Sequence, residues 1–407
     1  MKTSPKRVFV MMSGGVDSSV AAFLLAKNKK YKVVGCFIKG YNVDGCQEAD
    51  AEDARRVAGF LKIPFYAIDL EKEYKKLVVD YMISGYKKGI TPNPDVMCNK
   101  EIKFGLFLER ALKMGADYIA TGHYVRLIKR KKFIPSTRFA PSSDSSRLSS
   151  PTDSDCGRRP CSVGCGVSEN KIFSLYQAKD KNKDQSYFLW TLTQKQLKHC
   201  LFPIGDYLKS EVREIARKAG LPTAEKKDSQ GICFLGMVKF KDFLKQYLPV
   251  KKGDVLGVDG KKIGEHEGAW FYTIGQRHIG IMNHGLGIKG KHETKPFYVV
   301  EKNIRKNILT VAEEENNQAL YKKEIKLINV NFISPITNYQ LPITVHARVR
   351  YRQPLVKATL YKMKADSYKL IFNSPVKSVA PGQSAVFYER RPSAGSELKM
   401  IGGGIII

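Results

Sequence analysis

Residues 8–19 read VFVMMSGGVDSS, and this stretch decides the fold. A short apolar run is followed by the pair Gly14-Gly15, and residues 16–27 then have the apolar-rich composition of a helix. The glycines let the backbone turn sharply and expose its amides, the serines add hydroxyl donors, and the start of a helix favours phosphate. We therefore predict a strand, a phosphate-binding loop and a helix, rather than a turn that only caps a helix. The loop is not of the Walker type, because it has no Gly-Lys-Ser/Thr ending.

Strand-like and helix-like segments alternate after this loop. The strand-like segments are 31–38, 65–70 and 117–121. The helix-like segments are 49–61, 74–83 and 100–114. Strands separated by helices of this length predict an α/β domain with a doubly wound parallel sheet. Ligands of such sheets bind at the carboxyl ends of the strands.

Two later changes in composition divide the rest of the chain. From about residue 250 short β-rich runs are punctuated by glycine, and from about residue 323 alternating runs such as ITVHARVRYR follow. They indicate a small β-rich central domain and a second β-rich unit. We therefore expect three domains, with the bounds 1–236, 237–312 and 313–407.

Residues 129–170 interrupt the α/β pattern. They begin with four basic residues, become rich in Ser, Pro and Thr, and contain Cys156, Cys161 and Cys165. We interpret them as a flexible insertion loop. The spacing C-x₄-C-x₃-C leaves a zinc or iron–sulfur site open as the alternative.

The chain is strongly basic, with 69 Lys and Arg against 39 Asp and Glu in 407 residues and a net charge of +30. The excess is spread along the chain, which excludes a basic tail on a neutral enzyme and predicts a polyanionic partner. Nothing amphipathic or lipidated accompanies the charge, so nucleic acid is expected and a membrane is not. The N-terminal apolar run is too short for a signal peptide, and eight cysteines are too few for a disulfide scaffold. A cytoplasmic protein with reduced thiols is expected.

Residues 91–100 read TPNPDVMCNK and lead into a predicted helix. The prolines stiffen this loop, and Cys98 then lies near a helix N-terminus, which favours thiolate. Asp95 is placed to accept or deliver a proton. Cys233 lies far along the chain, between two glycines in DSQGICFLG. These surroundings favour a chemical role for both cysteines, with two buried structural thiols as the alternative.

At this point the sequence resembles the tRNA-specific 2-thiouridylases, bacterial PP-loop ATP pyrophosphatases that thiolate the wobble uridine of tRNA. The matching stretches cover nearly the whole chain outside the insertion: SGGVDSS, DAEDARRVA, GITPNPDVMCNKEIKFG, DYIATGHYVR, KNKDQSYFLW, DSQGICFLG, YTIGQRHIGI, RVRYRQP and GGGIII. The resemblance implies that the second β-rich unit is a tRNA-contacting β-barrel. The family pattern has no counterpart of the insertion.

The resemblance implies ATP and Mg²⁺ as cofactors, without a dedicated protein metal site. Asp17 would help to hold magnesium or orient the pyrophosphate. Gly122 would let the nucleotide approach closely, and Ile38, at the end of the second strand, would pack on the adenine. The ATP-binding positions that it implies are Met11, Met12, Ser13, Gly14, Gly15, Val16, Asp17, Ser18, Ile38 and Gly122.

The resemblance also assigns the sulfur chemistry and the tRNA contacts. Cys98 would be the nucleophile, Cys233 the persulfide carrier and Asp95 the acid/base beside the target base. The implied tRNA-contacting positions are Asn93, Pro94, Asp95, His123, Lys183, Asp184, Gln185, Arg350, Tyr351 and Gln383. The implied partners are tRNAs of the Lys, Glu and Gln type and a cysteine desulfurase or sulfur-relay protein.

Three of these segments have plainer interpretations from the residues alone. Residues 183–185 look like a solvated polar run, and a lone histidine such as His123 is more often structural. Alternation along a predicted strand would place Arg348, Arg350 and Arg352 on one face, suited to phosphate, with Tyr351 on the other. A merely solvated β face is the alternative.

The predicted chemistry explains why a PP-loop accompanies two cysteines. Oxide is a poor leaving group, and adenylating the C2 oxygen of uridine converts it into AMP. The persulfide then attacks the carbon directly, or Cys98 releases sulfide from it, and both routes end in a Cys98–Cys233 disulfide. The uridine must leave its stack, so a pocket for the extruded base is expected. A PP-loop ligase or amidotransferase for a small substrate, and an RNA-binding protein with a degenerate ATPase fold, are the competing hypotheses.

Overall fold

The structure is a computed structural model, and it describes residues 4–43, 45–131, 171–227, 238–277, 279, 296–334, 340–364, 366–390 and 397–407. Cys233 and the three cysteines of the predicted insertion lie outside these residues. In the described part of the chain no helix is long and apolar enough to cross a membrane.

The N-terminal part alternates strands and helices, as predicted. Its elements are β1 (Lys6–Met11), α1 (Val16–Ala26), β2 (Tyr31–Lys39), α2 (Cys46–Phe60), β3 (Phe65–Asp69), α3 (71–87), α4 (94–113) and β4 (Tyr118–Ala120). The helices α3 and α4 each contain a π-helical stretch, Lys75–Val79 and Cys98–Phe107 respectively. The strands are parallel, in the order β3-β2-β1-β4.

Strand β1 shows why this sheet has helices on both faces. Val8 and Val10 pack in the cluster that includes α1 and α2, whereas Phe9 and Met11 pack in the cluster that includes α3 and α4. Side chains alternate across a strand, so a continuously apolar strand needs a helical layer on each side. The predicted doubly wound α/β fold is confirmed.

The next elements complete this domain. They are β5 (Val125–Lys131), β6 (Lys171–Gln177), α5 (Gln194–Leu197), β7 (Cys200–Leu201) and α6 (Lys209–Lys218), with a 3₁₀ turn at Ser186–Leu189. Helix α7 (Phe240–Lys245) follows and begins the central unit. Strand β7 joins the parallel sheet beside β4. Strands β5 and β6 form an antiparallel hairpin, and the predicted insertion begins inside it.

The central β-rich unit contains β8 (Gly253–Gly257), β9 (Lys262–His266), β10 (Phe297–Asn303) and β11 (Ile308–Glu313), with a 3₁₀ turn at Ala269–Phe271. The strand order is β10-β11-β8-β9, and only β11 and β8 run parallel. This unit packs on the α3 side of the first domain, where the Tyr86 and Phe240 rings lie edge to face at 5.4 Å.

The C-terminal unit is a closed six-stranded antiparallel barrel, as the resemblance implied. A 3₁₀ turn at Gln318–Leu320 precedes β12 (Tyr321–Phe332), β13 (Ile343–Arg348), β14 (Val356–Lys362), β15 (Tyr368–Lys377), β16 (Ser384–Arg390) and β17 (Leu398–Ile406). Pairing of β12 with β17 closes the barrel. The β5–β6 hairpin extends the barrel sheet through Tyr176 and Lys399, so the two domains share a sheet.

Candidate active site

The loop after β1 is shaped by close backbone approaches. Gly14 has φ +73°, and a Cβ at this position would lie 2.3 Å from the carbonyl oxygen of Asp50. At the end of β4, a Cβ on Gly122 would lie 2.7 Å from the amide nitrogen of Ser18. Both positions therefore need glycine. Gly122 lies against the loop backbone, and its predicted contact with the nucleotide stays a prediction.

The serine hydroxyls brace this loop from within. The Ser18 hydroxyl accepts from the Ser13 amide at 3.1 Å and donates to the Gly15 carbonyl at 3.0 Å. Ser19 donates to the same carbonyl at 2.9 Å and accepts a hydrogen bond from the Thr223 hydroxyl at 2.9 Å. A loop held in this way is preorganised for an anion at the start of α1.

The remaining positions predicted for ATP lie around the loop. Met11, Met12 and Val16 are buried beneath it. Ile38 is half-buried at the end of β2. This is the edge where parallel sheets bind ligands.

A lysine that sequence reasoning missed lies at the mouth of the loop. Lys209, the first residue of α6, donates to the Asp17 carboxylate at 2.7 Å, and the Tyr124 hydroxyl donates to the same oxygen at 2.8 Å. Lys209 is 192 residues from Asp17 in the chain. No local pattern could have revealed the pair, which places a cation and an anion beside the loop.

Lys226, which sequence reasoning also missed, connects α2 to the segment that precedes Cys233. Lys226 contacts Asp50 at 2.7 Å and Asp53 at 2.6 Å. Because the Asp50 backbone also touches Gly14, this ion-pair cluster supports the loop from outside.

The helix that carries Cys98 begins earlier than predicted. Asn93 caps α4 by accepting from the Val96 amide at 3.2 Å, and Pro94 occupies the first turn. The sequence predicts the helix from residue 100, whereas the Asn-Pro pair starts it at residue 94. Cys98 therefore lies inside the helix, with 3% of its surface exposed.

The thiol stands at the start of the π-helical stretch of α4. A Cβ on Gly105 would lie 2.8 Å from the Lys100 carbonyl oxygen, five residues earlier, which is the spacing of a π turn. π-helical insertions are frequent at functional sites.

Asp95 and His123 share an electrostatic neighbour that sequence reasoning also missed. Burial raises the pKa of Asp95, and Lys103 opposes the shift. Burial lowers the pKa of His123 well below its usual range, and Lys103 lowers it further. The Nδ1 atom of His123 lies 2.8 Å from the Thr121 hydroxyl oxygen, and its ring contacts Phe104 of α4 at 5.9 Å between centroids.

The loop before α4 is docked on the barrel. The Thr91 amide donates to the Pro381 carbonyl at 2.8 Å. The Gln383 side chain donates to the carbonyls of Thr91 and Pro92 at 3.0 and 3.3 Å. A Cβ on Gly382 would lie 2.9 Å from the Thr91 backbone. Gln383 thus supports the loop that carries Asn93, Pro94 and Asp95, and its predicted contact with tRNA stays a prediction.

Residues 183–185 are not a solvated run. The Gln185 side chain accepts from the Tyr124 amide at 2.9 Å. The Asp184 carboxylate has no exposed surface and pairs with Arg348 at 2.7 Å. It also accepts from the Ser186 hydroxyl at 2.9 Å. Asp184 is thus a buried anchor, and Lys183 and Gln185 on either side of it are half-buried.

The predicted strand over 348–352 is wrong. Strand β13 ends at Arg348, and Arg352 has φ +63°, which reverses the chain. Arg348 is buried, Arg350 donates to the Ile274 carbonyl, and only Arg352 is exposed. The three arginines therefore do not share a face. Tyr351 packs on Phe188, with ring centroids 4.6 Å apart.

This geometry defines a class of protein: a PP-loop nucleotide-binding enzyme in which the loop before the cysteine helix docks on a β-barrel. Residues 6–237 match the family described as tRNA methyl transferase HUP domain. Residues 241–313 match the tRNA methyl transferase PRC-barrel domain, and residues 322–406 match the aminomethyltransferase beta-barrel domain. The chain belongs to the tRNA-specific 2-thiouridylase family, whose members are tRNA sulfurtransferases that use ATP.

The similarity to curated relatives extends over almost the full length of both chains. The chain is 43% identical to tRNA-specific 2-thiouridylase MnmA 1 of Geobacillus kaustophilus, over 97% of this chain and 95% of that one. It is 41% identical to the MnmA of Streptococcus thermophilus over 99% of this chain and 95% of that one. A solved U34-tRNA thiolase, NcsA of Methanococcus maripaludis, is 15% identical over 57% of this chain and 63% of that one, with a TM-score of 0.33, too distant to carry an argument.

Proposed function

We propose that the enzyme adenylates the C2 oxygen of the wobble uridine of tRNA and replaces it with sulfur from a persulfide on Cys233. The products are 2-thiouridine, AMP and pyrophosphate. The observation that carries the proposal is the link between the PP-loop and the cysteine helix. Gly122 touches the PP-loop backbone, and the next residue, His123, packs on Phe104 of α4.

The residues around the loop fit an ATP–magnesium complex. A preorganised loop at a helix start suits the phosphates, and Lys209 adds a cation. Among the described residues no group of three or more His, Cys, Asp or Glu side chains could hold a metal ion. Mg²⁺ commonly binds through one or two carboxylates together with substrate phosphates, and Asp17 would be that carboxylate.

Asp95 is suited to move a proton at the uridine. Its raised pKa brings the carboxyl group nearer to neutral pH, where a group can both accept and release a proton. Asn93, Pro94 and Asp95 form the capped start of α4 and would line the pocket for the extruded base.

Two cysteines, Cys98 and Cys233, are sufficient for the sulfur transfer. The terminal persulfide sulfur attacks C2 and displaces AMP, and Cys98 then attacks the Cys233 sulfur, leaving the thiocarbonyl on the base. Alternatively, Cys98 first cleaves the persulfide, and the released sulfide attacks C2. Either route leaves a Cys98–Cys233 disulfide, which a thiol reductant must open before the next turnover.

The descriptions of the matching families refer to methyl transfer, whereas the names of the curated relatives refer to thiolation. Thiolation is favoured because methyl transfer would leave the PP-loop and the buried Cys98 without a role. A small-substrate ligase would leave the docked barrel unexplained. The sulfur donor would be a cysteine desulfurase or relay protein, and the tRNAs would be those of the Lys, Glu and Gln type.

The test is to incubate the protein with ATP, Mg²⁺, a persulfide donor and unmodified tRNA, and to analyse the nucleosides by mass spectrometry. Wild type should form 2-thiouridine, and Cys98→Ala and Cys233→Ala should abolish it. Cys36→Ala is the matched control, because Cys36 is equally buried but lies in β2, where burial raises its pKa to about 12. No product from wild type, or full product from either active-site variant, would refute the proposal.

A further inference from the structure

The chain that precedes Cys233 is fastened to α2 by an ion-pair cluster. Lys226, seven residues before this cysteine, contacts the carboxylates of Asp50 and Asp53 at 2.7 and 2.6 Å. Asp50 and Asp53 are three residues apart in α2, so they lie on one face of the helix and converge on a single amine. Two carboxylates therefore fix the position of the Lys226 side chain.

Further contacts fasten the same stretch of chain to α1 and α6. The Thr223 hydroxyl donates to the Ser19 hydroxyl of α1 at 2.9 Å, and both side chains are buried. The Lys226 amide donates to the Thr223 carbonyl at 3.1 Å, so the two anchoring residues belong to one turn. Arg213 of α6 donates to the carbonyls of Ala224 and Lys226 at 3.2 and 3.1 Å. This turn is therefore held by three helices.

The partners of this turn also contact the PP-loop. The Asp50 carbonyl lies against Gly14, where an added Cβ would be 2.3 Å from the carbonyl oxygen. Ser19 donates to the Gly15 carbonyl of the same loop at 2.9 Å. The start of the segment that carries Cys233 is thereby placed relative to the PP-loop.

The ion pairs of Lys226 matter more for position than for stability. The side chains of Lys226, Asp50 and Asp53 are 30%, 37% and 27% exposed. Ion pairs that water reaches contribute little to the free energy of folding. Their effect on geometry is larger, because misplacing a reacting group by about 1 Å costs about 100-fold in rate.

We infer that Lys226 is a positioning residue for sulfur transfer, because it fixes the start of the Cys233 segment relative to the PP-loop. The inference rests on the proposed function, which has two steps with different products. Adenylation of the uridine releases pyrophosphate, and attack by the Cys233 persulfide then displaces AMP and gives 2-thiouridine. Loss of the Lys226 anchor should slow the second step and leave the first nearly intact.

The test is a single-turnover experiment with Lys226→Met, loaded with persulfide and in excess over unmodified tRNA. Pyrophosphate and 2-thiouridine are followed in time after ATP and Mg²⁺ are added. Pyrophosphate release should stay within about fivefold of wild type, because partly exposed ion pairs contribute little. Formation of 2-thiouridine should slow by about 10- to 100-fold, because the persulfide is misplaced. A merely structural role would slow both steps equally.

Two further variants sharpen the test. Lys226→Arg keeps the cation between the two carboxylates and should form 2-thiouridine at close to the wild-type rate. Glu225→Gln is the matched control in the same turn, because it breaks only the exposed pair with Arg217, in which Glu225 is 75% exposed. Both of its rates should equal those of wild type.

Three results would overturn the inference: equal slowing of both steps in Lys226→Met, unchanged 2-thiouridine formation in that variant, or the same defect in Glu225→Gln. In each case wild type still forms 2-thiouridine, so only the role of Lys226 fails. If wild type itself forms no 2-thiouridine, the proposed function fails.

Discussion

The PP-loop and the turn after β13 are both ordered by specific contacts, but they are held in different ways. The PP-loop is fixed mainly by contacts within residues 13–19 and by glycine backbones that admit no side chain. The turn is fixed by partners far away in the chain, such as Asp184, which is 164 residues from Arg348. A binding loop can therefore be specified by its own sequence or by the surfaces that it joins. A loop that is held by distant partners loses its conformation when either of the surfaces that it joins is changed.

The largest expected effect is on the locally specified loop. Gly14→Ala would drive a Cβ into the Asp50 carbonyl, displacing the loop. Misplacement by about 1 Å costs about 100-fold in rate, so we expect at least that loss in pyrophosphate release with tRNA present. Gly260→Ala is the control, because Gly260 has φ +80° but nothing within 4 Å of the added Cβ. Equal activity in the two variants would contradict the steric explanation.

The next effect is on the turn that distant partners hold. Arg348→Met would leave the Asp184 carboxylate buried without its cation. Removing one partner of a buried pair costs about 3–5 kcal/mol, and this loss should appear in the free energy of unfolding by urea. The matched variant is Lys113→Met, whose exposed pair with Glu109 should contribute less than about 1 kcal/mol. A loss no larger than in this control would show that the turn is held by other contacts.

The smallest effect concerns the cysteine helix between these two regions. Lys103 opposes the burial that raises the pKa of Asp95, so Lys103→Met should raise this pKa further. The Asp95-dependent limb of the pH–rate profile should then move to higher pH. The rate at neutral pH should change by less than about tenfold, because the acid/base group, worth about 10²–10⁴-fold, remains.

The raised pKa of Asp95 also determines how the stability of the protein depends on pH. A carboxyl group whose pKa is raised by folding stabilises the protein at low pH. Stability is lost as the pH rises from the ordinary carboxyl range through the raised pKa. Lys103→Met should extend that loss to higher pH, as thermal melts across the range would show, whereas Lys103→Arg should behave like wild type. A limb that stays in place or moves to lower pH would refute the electrostatic role of Lys103.

Features fixed by contacts within a few residues could be predicted from the sequence, and features fixed by distant partners could not. The PP-loop and the parallel sheet were predicted because apolar periodicity and glycine placement act over a few residues. The predicted start of α4 is wrong, because the two prolines indicate a loop although Asn93 caps the helix there. The roles of Lys209 and Asp184 could not be predicted, because each depends on a partner more than 150 residues away. The arginines of 348–352 were misplaced because alternation alone cannot reveal a reversing turn.

The docking of the loop before α4 on the barrel also sets the order in which the protein becomes active during synthesis. Thr91 and Gln383, which are hydrogen-bonded to each other, are separated by 292 residues. The Gly382 amide in turn donates to the Ile406 carbonyl in β17. At about 5–20 residues per second, a ribosome needs roughly 15–60 s to make the intervening chain. For that time the cysteine helix lacks its brace, so a nascent chain with a finished PP-loop does not yet have a finished active site.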